Sequence, residues 1–182
     1  MRIITGKFKG RTLAWVDEKG IRPATDHVRG SIFNMLQNRL DLREARVLDL
    51  FAGSGSLGFE ALSRGASTAV FVDESPAALD LVEQNARKLG CLDECEILQD
   101  DAISFIDRPS GQYDLIFADP PYAYDRTPEI PGLVVDRKLL KSGGFLIMEH
   151  AKRTELPPSP SYRVHAQKEF GNTRISFVIP TA

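Results

Sequence analysis

At 182 residues, 42% of them hydrophobic, with a mean hydropathy of −0.20 and a formal net charge of −2, the chain has enough apolar side chain for one well-buried domain but not comfortably for two. No apolar stretch approaches the roughly eighteen residues of a membrane-spanning helix, and Met1-Arg2-Ile3-Ile4-Thr5-Gly6-Lys7 lacks the apolar core of a signal peptide, so a cytoplasmic protein off the membrane is expected. Cys91 and Cys95 have neither Cys-x-x-Cys spacing nor a neighbouring His, which argues against zinc or redox chemistry, so free thiols and no metal are expected.

The charge is unevenly spread. Residues 1–46 hold ten Lys and Arg against five Asp and Glu, and the rest of the chain is acidic. A basic leader on an acidic body suggests that the leader, residues 1–44, meets a polyanion, with Arg2, Lys7, Lys9, Arg11, Arg22 and Arg29 as candidate contacts. Residues 2–16 alternate and turn, which predicts a β-hairpin with a basic tip at Lys7 and Lys9. A turn over residues 17–20 and an extended run over 21–25 lead to a helix capped by Thr25 or Asp26. It carries Val28, Ile32, Phe33, Leu36 and Leu40 at helical spacing and leaves Arg29 on a flank, so that Arg22 and Arg29 bracket the helix start, where an anion or a loop could be held.

From Ala45 strands alternate with helices. Strands are predicted over 47–51, 69–73, 96–99, 113–118 and 145–149, and helices over 56–62, over 76–89 behind Ser75 and before Gly90, and over 102–106. A further helix is predicted to end across 136–140, followed by a turn at Lys141-Ser142-Gly143-Gly144. Repeated strand-helix units imply an α/β fold, a doubly wound parallel sheet with helices on both faces, here over residues 45–182. Candidate strands over 162–167 and 174–179 read as an antiparallel hairpin on the sheet edge.

In such sheets ligands bind beyond the carboxyl ends of the strands. Gly53-Ser54-Gly55-Ser56-Leu57-Gly58 matches Gly-x-Gly-x-x-Gly, with Asp73 placed to hold a ribose diol, a pattern that by itself would also suit a nicotinamide dehydrogenase. Asp49, just before the glycines, would oppose a pyrophosphate but favour a ligand carrying an ammonium and a sulfonium, such as S-adenosylmethionine. The run Tyr113 to Ala118 stops at Asp119-Pro120-Pro121-Tyr122. Asp119 and the Pro120 carbonyl can accept both hydrogens of an exocyclic amine while Tyr122 stacks on its ring, which turns the amine lone pair toward an electrophile. The target base would be swung out of its stack into the cleft.

Arg2-Ile3-Ile4-x-Gly6, Gly10-Arg11-x-Leu13, Arg22-Pro23-x-Thr25-Asp26-x-Val28-Arg29, Phe33-Asn34, Asp49-Leu50-Phe51-Ala52-Gly53-Ser54-Gly55, Leu57-Gly58-x-Glu60-Ala61-Leu62-Ser63-Arg64-Gly65 and Asp119-Pro120-Pro121-Tyr122 together resemble the bacterial small-subunit rRNA guanine-N2 methyltransferases over nearly the whole chain. The resemblance implies a Rossmann-like class I S-adenosylmethionine-dependent methyltransferase, with a seven-stranded, mostly parallel sheet, an antiparallel last strand and an N-terminal hairpin and helix extension. It implies one guanine of 16S rRNA as substrate, in a small ribosomal subunit whose neighbouring proteins complete the docking surface. Position by position it implies cofactor binding by Asp49, Phe51, Ala52, Gly53, Ser54, Gly55, Asp73, Asp101 and Ala102, and catalysis by Asp119, Pro120, Pro121 and Tyr122. His27 and Gly30-Ser31 depart from the family's leader helix, and His150 after Glu149 reads as a surface or hydrogen-bonded residue and not as a catalyst. The tetrapeptide alone would equally serve adenine N6 or cytosine N4 of DNA or RNA, or a glutamine amide. A non-catalytic RNA-binding module on the same fold is a further reading, and a monomer is the simplest assembly.

Overall fold

Runs rich in Val, Ile, Leu and Phe with few polar side chains become strands buried on both faces, and such runs build the centre of the sheet. They are β1 (Arg46–Leu50), β2 (Thr68–Asp73) and β4 (Tyr113–Ala118); β3 (Cys95–Gln99), only partly buried, forms one edge beside β2, and β5 (Leu140–Ala151), β6 (Tyr162–Phe170) and β7 (Thr173–Pro180) follow in the chain. The computed structural model describes residues 1–16, 25–108 and 111–181. The turn expected over 17–20 and the extended run over 21–24, with Arg22, lie outside the described residues.

The sheet order is β3-β2-β1-β4-β5-β7-β6. β1 to β5 pair in parallel, while β7 is antiparallel to both β5 and β6, so the last strand alone runs against the rest. The chain direction across the sheet reverses between β1 and β4, which makes that crevice the place where ligands of open α/β sheets bind.

Helices cover both faces. Alternation along the strands sends Val47, Leu115, Phe117 and Ile147 into one core, against α1 (Asp26–Leu36), α2 (Ser56–Ser63), α3 (Pro76–Leu89) and the leader residues Ile3, Phe8 and Leu13. Leu48, Leu50, Ile116 and Leu146 enter the other, beneath α4 (Ala102–Asp107) and α5 (Ile130–Asp136). The predicted caps hold: the Thr25 hydroxyl accepts from the Val28 N–H, the Ser75 hydroxyl from the Ala78 N–H, and Gly90 closes α3 at φ 73°.

Three expectations are corrected. Residues 2–16 make a single antiparallel bridge between Arg2 and Thr12 in place of a regular hairpin, because much of their bonding goes to helices. Glu60 accepts the N–H groups of Ile4 and Thr5, and Ser63 takes those of Lys7, through its carbonyl, and Phe8, through its hydroxyl. The fifth helix ends at Asp136, and Leu140 already pairs with Tyr113; Lys141-Ser142-Gly143-Gly144 is an irregularity inside β5, with Gly143 at φ 80°. The C-terminal hairpin is longer than expected, turns at Gly171-Asn172, and inserts β7 between β5 and β6, so β6 forms the edge.

Among the described residues no helix is long and apolar enough to cross a membrane. Cys91 and Cys95 are free thiols.

Candidate active site

Strand register gathers the carboxylates. Asp49 of β1 pairs with Phe71 of β2 and Phe117 of β4, so Asp73 and Asp119, two residues further on, continue the same rows on the same face. Ala118 pairs with Met148, which sets Glu149 beside Asp119. Four acids therefore stand at the carboxyl ends of four neighbouring strands, and among the described residues none of them forms a salt bridge.

Asp49 is 2% exposed. Burial pushes its carboxyl up to about 8; the Gly58 N–H donated to Oδ2 at 3.0 Å opposes this, and the charge of Asp73 adds to it. Asp73 holds the glycine loop, its Oδ2 accepting from the Gly53 N–H and its Oδ1 from the Ser75 N–H, both at 2.9 Å. The Ala52 N–H donates to the Val72 carbonyl at 3.0 Å and Asn85 Nδ2 to the Ser54 carbonyl at 3.0 Å. Between these ties Phe51 adopts φ 59°, a strained conformation for a bulky residue, with its ring edge-on to Tyr124 at 5.1 Å. A Cβ on Gly58 would lie 2.4 Å from the Phe71 ring, so only glycine lets α2 start this close to the sheet.

The structure thus gathers Asp49, Phe51, Ala52, Gly53, Ser54, Gly55 and Asp73 around the β1–α2 turn. Asp101 and the buried Ala102 stand one strand further out. There Asp101 caps α4 by accepting from the Ser104 N–H at 2.9 Å, and the preceding Asp100 N–H reaches the Asp73 carbonyl at 3.1 Å.

At the end of β4, burial raises the Asp119 carboxyl well above the ordinary range, and Glu149 and Asp49 push the same way. Pro120 is buried beside it. The Pro121 carbonyl closes a turn onto the Tyr124 N–H at 2.8 Å, whereas no described donor bonds the Pro120 carbonyl. Tyr122 is 54% exposed on the rim, its hydroxyl hydrogen-bonded to Thr173 Oγ1 at the start of β7.

Glu149 escaped the sequence reading. It is half-buried, burial lifts its carboxyl to about 7, and its Oε2 is buried with no hydrogen-bond partner. Period-two alternation from Phe145 and Ile147 would have put it on the Asp49 face. His150 faces the other way, buried and held by the Ala151 carbonyl at 3.0 Å and Ser176 Oγ at 2.8 Å, the hydrogen-bonded residue expected.

Arg29 is corrected. It is fully buried, its Nη2 donating to the Arg2 carbonyl at 2.6 Å and to Asp26 Oδ1 at 2.9 Å, so the guanidinium joins leader to helix and offers nothing to a polyanion. Arg2, Lys7, Lys9 and Arg11 are exposed. Of these, Lys7 pairs with Glu94 at 2.7 Å and Arg11 donates to the carbonyls of Lys88 and Leu89 at the end of α3.

A glycine cradle rimmed by unpaired carboxylates fits a ligand with cationic groups and opposes a pyrophosphate. Similarity to known proteins agrees with that chemistry. The chain is 38% identical over 181 residues to YlbH of Bacillus subtilis (strain 168), provisionally named an rRNA methyltransferase, covering 97% of each chain. It is 33% identical over 172 residues to Ribosomal RNA small subunit methyltransferase D of Escherichia coli (strain K12), covering 94% of this chain and 85% of that one. The solved structure of yhhF from Escherichia coli, provisionally named a methyltransferase, superposes with a TM-score of 0.89 at 31% identity, covering 100% of this chain and 98% of that one. A family model described as Conserved hypothetical protein 95 matches residues 1–179, and the chain belongs to that family.

Proposed function

We propose that this protein transfers a methyl group from S-adenosylmethionine to the exocyclic N2 of one guanine in the 16S rRNA of the small ribosomal subunit, in the cytoplasm. The observation that carries the reading is the juxtaposition of Asp119 and Pro120 with the Asp49–Gly58 cradle across the β1–β4 crevice. The names of the relatives support the substrate class.

The cofactor would be held by the backbone of residues 51–55, by Asp73 toward its ribose, by Asp101 and Ala102 near adenine, and by Asp49 toward its cationic end. When bound, S-adenosylmethionine supplies a methyl carbon whose bond to the sulfonium breaks as the N2–carbon bond forms, sulfur keeping the electron pair. Asp119 and the Pro120 carbonyl accept the two N2 hydrogens and aim the lone pair. Pro121 fixes the turn, and Tyr122 packs against the base at the rim. An ionised Asp119, whose carboxyl sits above its usual range, is a competent acceptor for the surplus N2 proton near neutral pH. The leader, residues 1–44, docks the particle through Arg2, Lys7, Lys9 and Arg11, and neighbouring ribosomal proteins complete the surface around a monomer.

Offering labelled S-adenosylmethionine with unmodified small subunits, naked 16S rRNA and duplex DNA tests this. Label in the subunits is expected; label in the DNA alone would refute it.

A further inference from the structure

Asp-Pro-Pro-Tyr recognises an amine on a flat ring but does not choose among guanine, adenine and cytosine. We infer that Glu149 makes that choice, its carboxylate accepting the guanine N1–H that lies beside the reacting amine. The inference rests on the methyltransferase reading above.

Guanine, adenine and cytosine differ at the ring nitrogen next to the amine-bearing carbon. Guanine places the N1–H donor there, whereas adenine N1 and cytosine N3 are acceptors. An ionised carboxylate beside the amine site therefore bonds guanine and is repelled by the lone pair of the other two, whose acceptors would also be left unpaired.

Glu149 occupies that position. The register puts it next to Asp119 on the neighbouring parallel strand, on the same face, where strands run about 4.8 Å apart. The two carboxylates would thus meet two adjacent donors, N1–H and N2–H, of one Watson–Crick edge. Among the described residues nothing hydrogen-bonds or ion-pairs with the Glu149 carboxylate. Its Oε2 is buried and unpartnered, and Arg174, across the sheet from the neighbouring His150, is taken by Glu155 and Glu169. The charged groups that bear on this pocket are Asp119 and Asp49, both acids, so no described cation neutralises the pair. A hydrogen bond from N1–H would favour the ionised form of a carboxyl lifted to about 7. Glu149 is accordingly a specificity-determining residue and not part of the methyl-transfer chemistry.

The test uses small subunits reconstituted with 16S rRNA carrying either guanine or 2-aminopurine at the target position. 2-Aminopurine keeps the amine at C2 but has an acceptor at N1. Wild-type protein is expected to prefer guanine by about a hundredfold or more in kcat/KM, because a buried polar group left unpaired is strongly selective. Glu149→Gln presents both an amide donor and an amide acceptor, so the preference should shrink by at least about tenfold. The melting shift given by S-adenosylhomocysteine should stay as in wild type. If Glu149→Gln does not melt cooperatively, Glu149→Ala replaces it and should methylate both bases at similar rates. A guanine preference unchanged in the folded variant overturns the inference while leaving the methyltransferase reading intact. Wild-type protein that makes no N2-methylguanosine at all fails both.

Discussion

Asp49 is buried and Asp119 half-buried, and on the proposed function Asp119 serves the reacting amine while Asp49 faces the cofactor's cationic end, so substitution should separate the two roles. Asp119→Ala removes an acceptor that acts on the reacting amine, so kcat should fall by about a hundredfold or more with little change in cofactor affinity. Asp73→Ala should mainly raise the KM for S-adenosylmethionine, and steady-state kinetics in both substrates would expose the reverse pattern. For Asp49 the folded value of about 8 lies far above the ordinary carboxylate value, so between the two the folded chain binds a proton that the unfolded chain releases. Stability should therefore fall as pH rises through that window, and Asp49→Asn, which can still accept the Gly58 N–H, should flatten the fall and raise the melting temperature of the free protein at about pH 8. A cationic ligand favours the ionised form, so affinity for S-adenosylmethionine should rise from about pH 6 to 8 in wild type, with proton release, and not in Asp49→Asn. Calorimetric titration in two buffers reads both quantities.

Single residues also mark how far the sequence was legible. Asp119, Asp73 and the glycines announced themselves through strand ends and spacing. Arg29 did not, although Ile32, Phe33 and Leu36 at three, four and seven residues on put it on the buried stripe of α1, because a charged side chain on such a stripe is ordinarily exposed. Glu149 was hidden for a related reason: period-two alternation marks it only once β5 is known to continue the same face beside β4.

At the scale of elements, the leader is held by α2 as well as by itself. Glu60 is fully buried, takes the Ile4 and Thr5 N–H groups and pairs with Arg64 at 2.9 Å. Glu60→Ala leaves two N–H groups and a guanidinium without their acceptor and should cost about 3–5 kcal/mol, read by urea unfolding. Gly6 at φ 90° has the Ser63 carbonyl oxygen 1.8 Å from where a Cβ would sit, so Gly6→Ala should release the leader locally. Limited proteolysis within residues 1–16 would detect this while S-adenosylhomocysteine still binds; a leader as resistant as in wild type would contradict it. This is why the hairpin reading of residues 2–16 failed. Alternation and turn glycines point to cross-strand pairing, and the Ile3, Gly10 and Leu13 N–H groups do bond across the two arms, but those of Ile4 and Thr5 go to a side chain of a helix about fifty-five residues later, which local pattern does not encode. The strand-helix units from β1 to β4 were legible because each apolar run is bounded by its own breaker. The β5 entry was not, since a Lys-Ser-Gly-Gly turn and an irregularity within a strand share one composition.

Across the whole molecule, the chain folds four acids into the crevice and leaves the leader cations Arg2, Lys7, Lys9 and Arg11 outside. The Lys9 side chain is exposed and makes no described hydrogen bond or ion pair, which makes it the cleanest probe of docking. Lys9→Ala should weaken binding to small subunits without changing cofactor affinity and should lower the slope of log affinity against log salt by about 0.7–0.9, one phosphate contact. An Arg29→Ala loss should instead appear as lowered stability, since that side chain is internal. Filter binding at several salt concentrations separates the two.

On the proposed function, the Asp119 site methylates guanine N2. The most direct measurement is to react unmodified small subunits with labelled S-adenosylmethionine, digest the rRNA to nucleosides and identify the labelled one, with wild-type protein and Asp119→Ala side by side. N2-methylguanosine from wild type, nearly abolished in the variant, is the expected result. Label in any other nucleoside, or an undiminished yield from Asp119→Ala, would contradict the account.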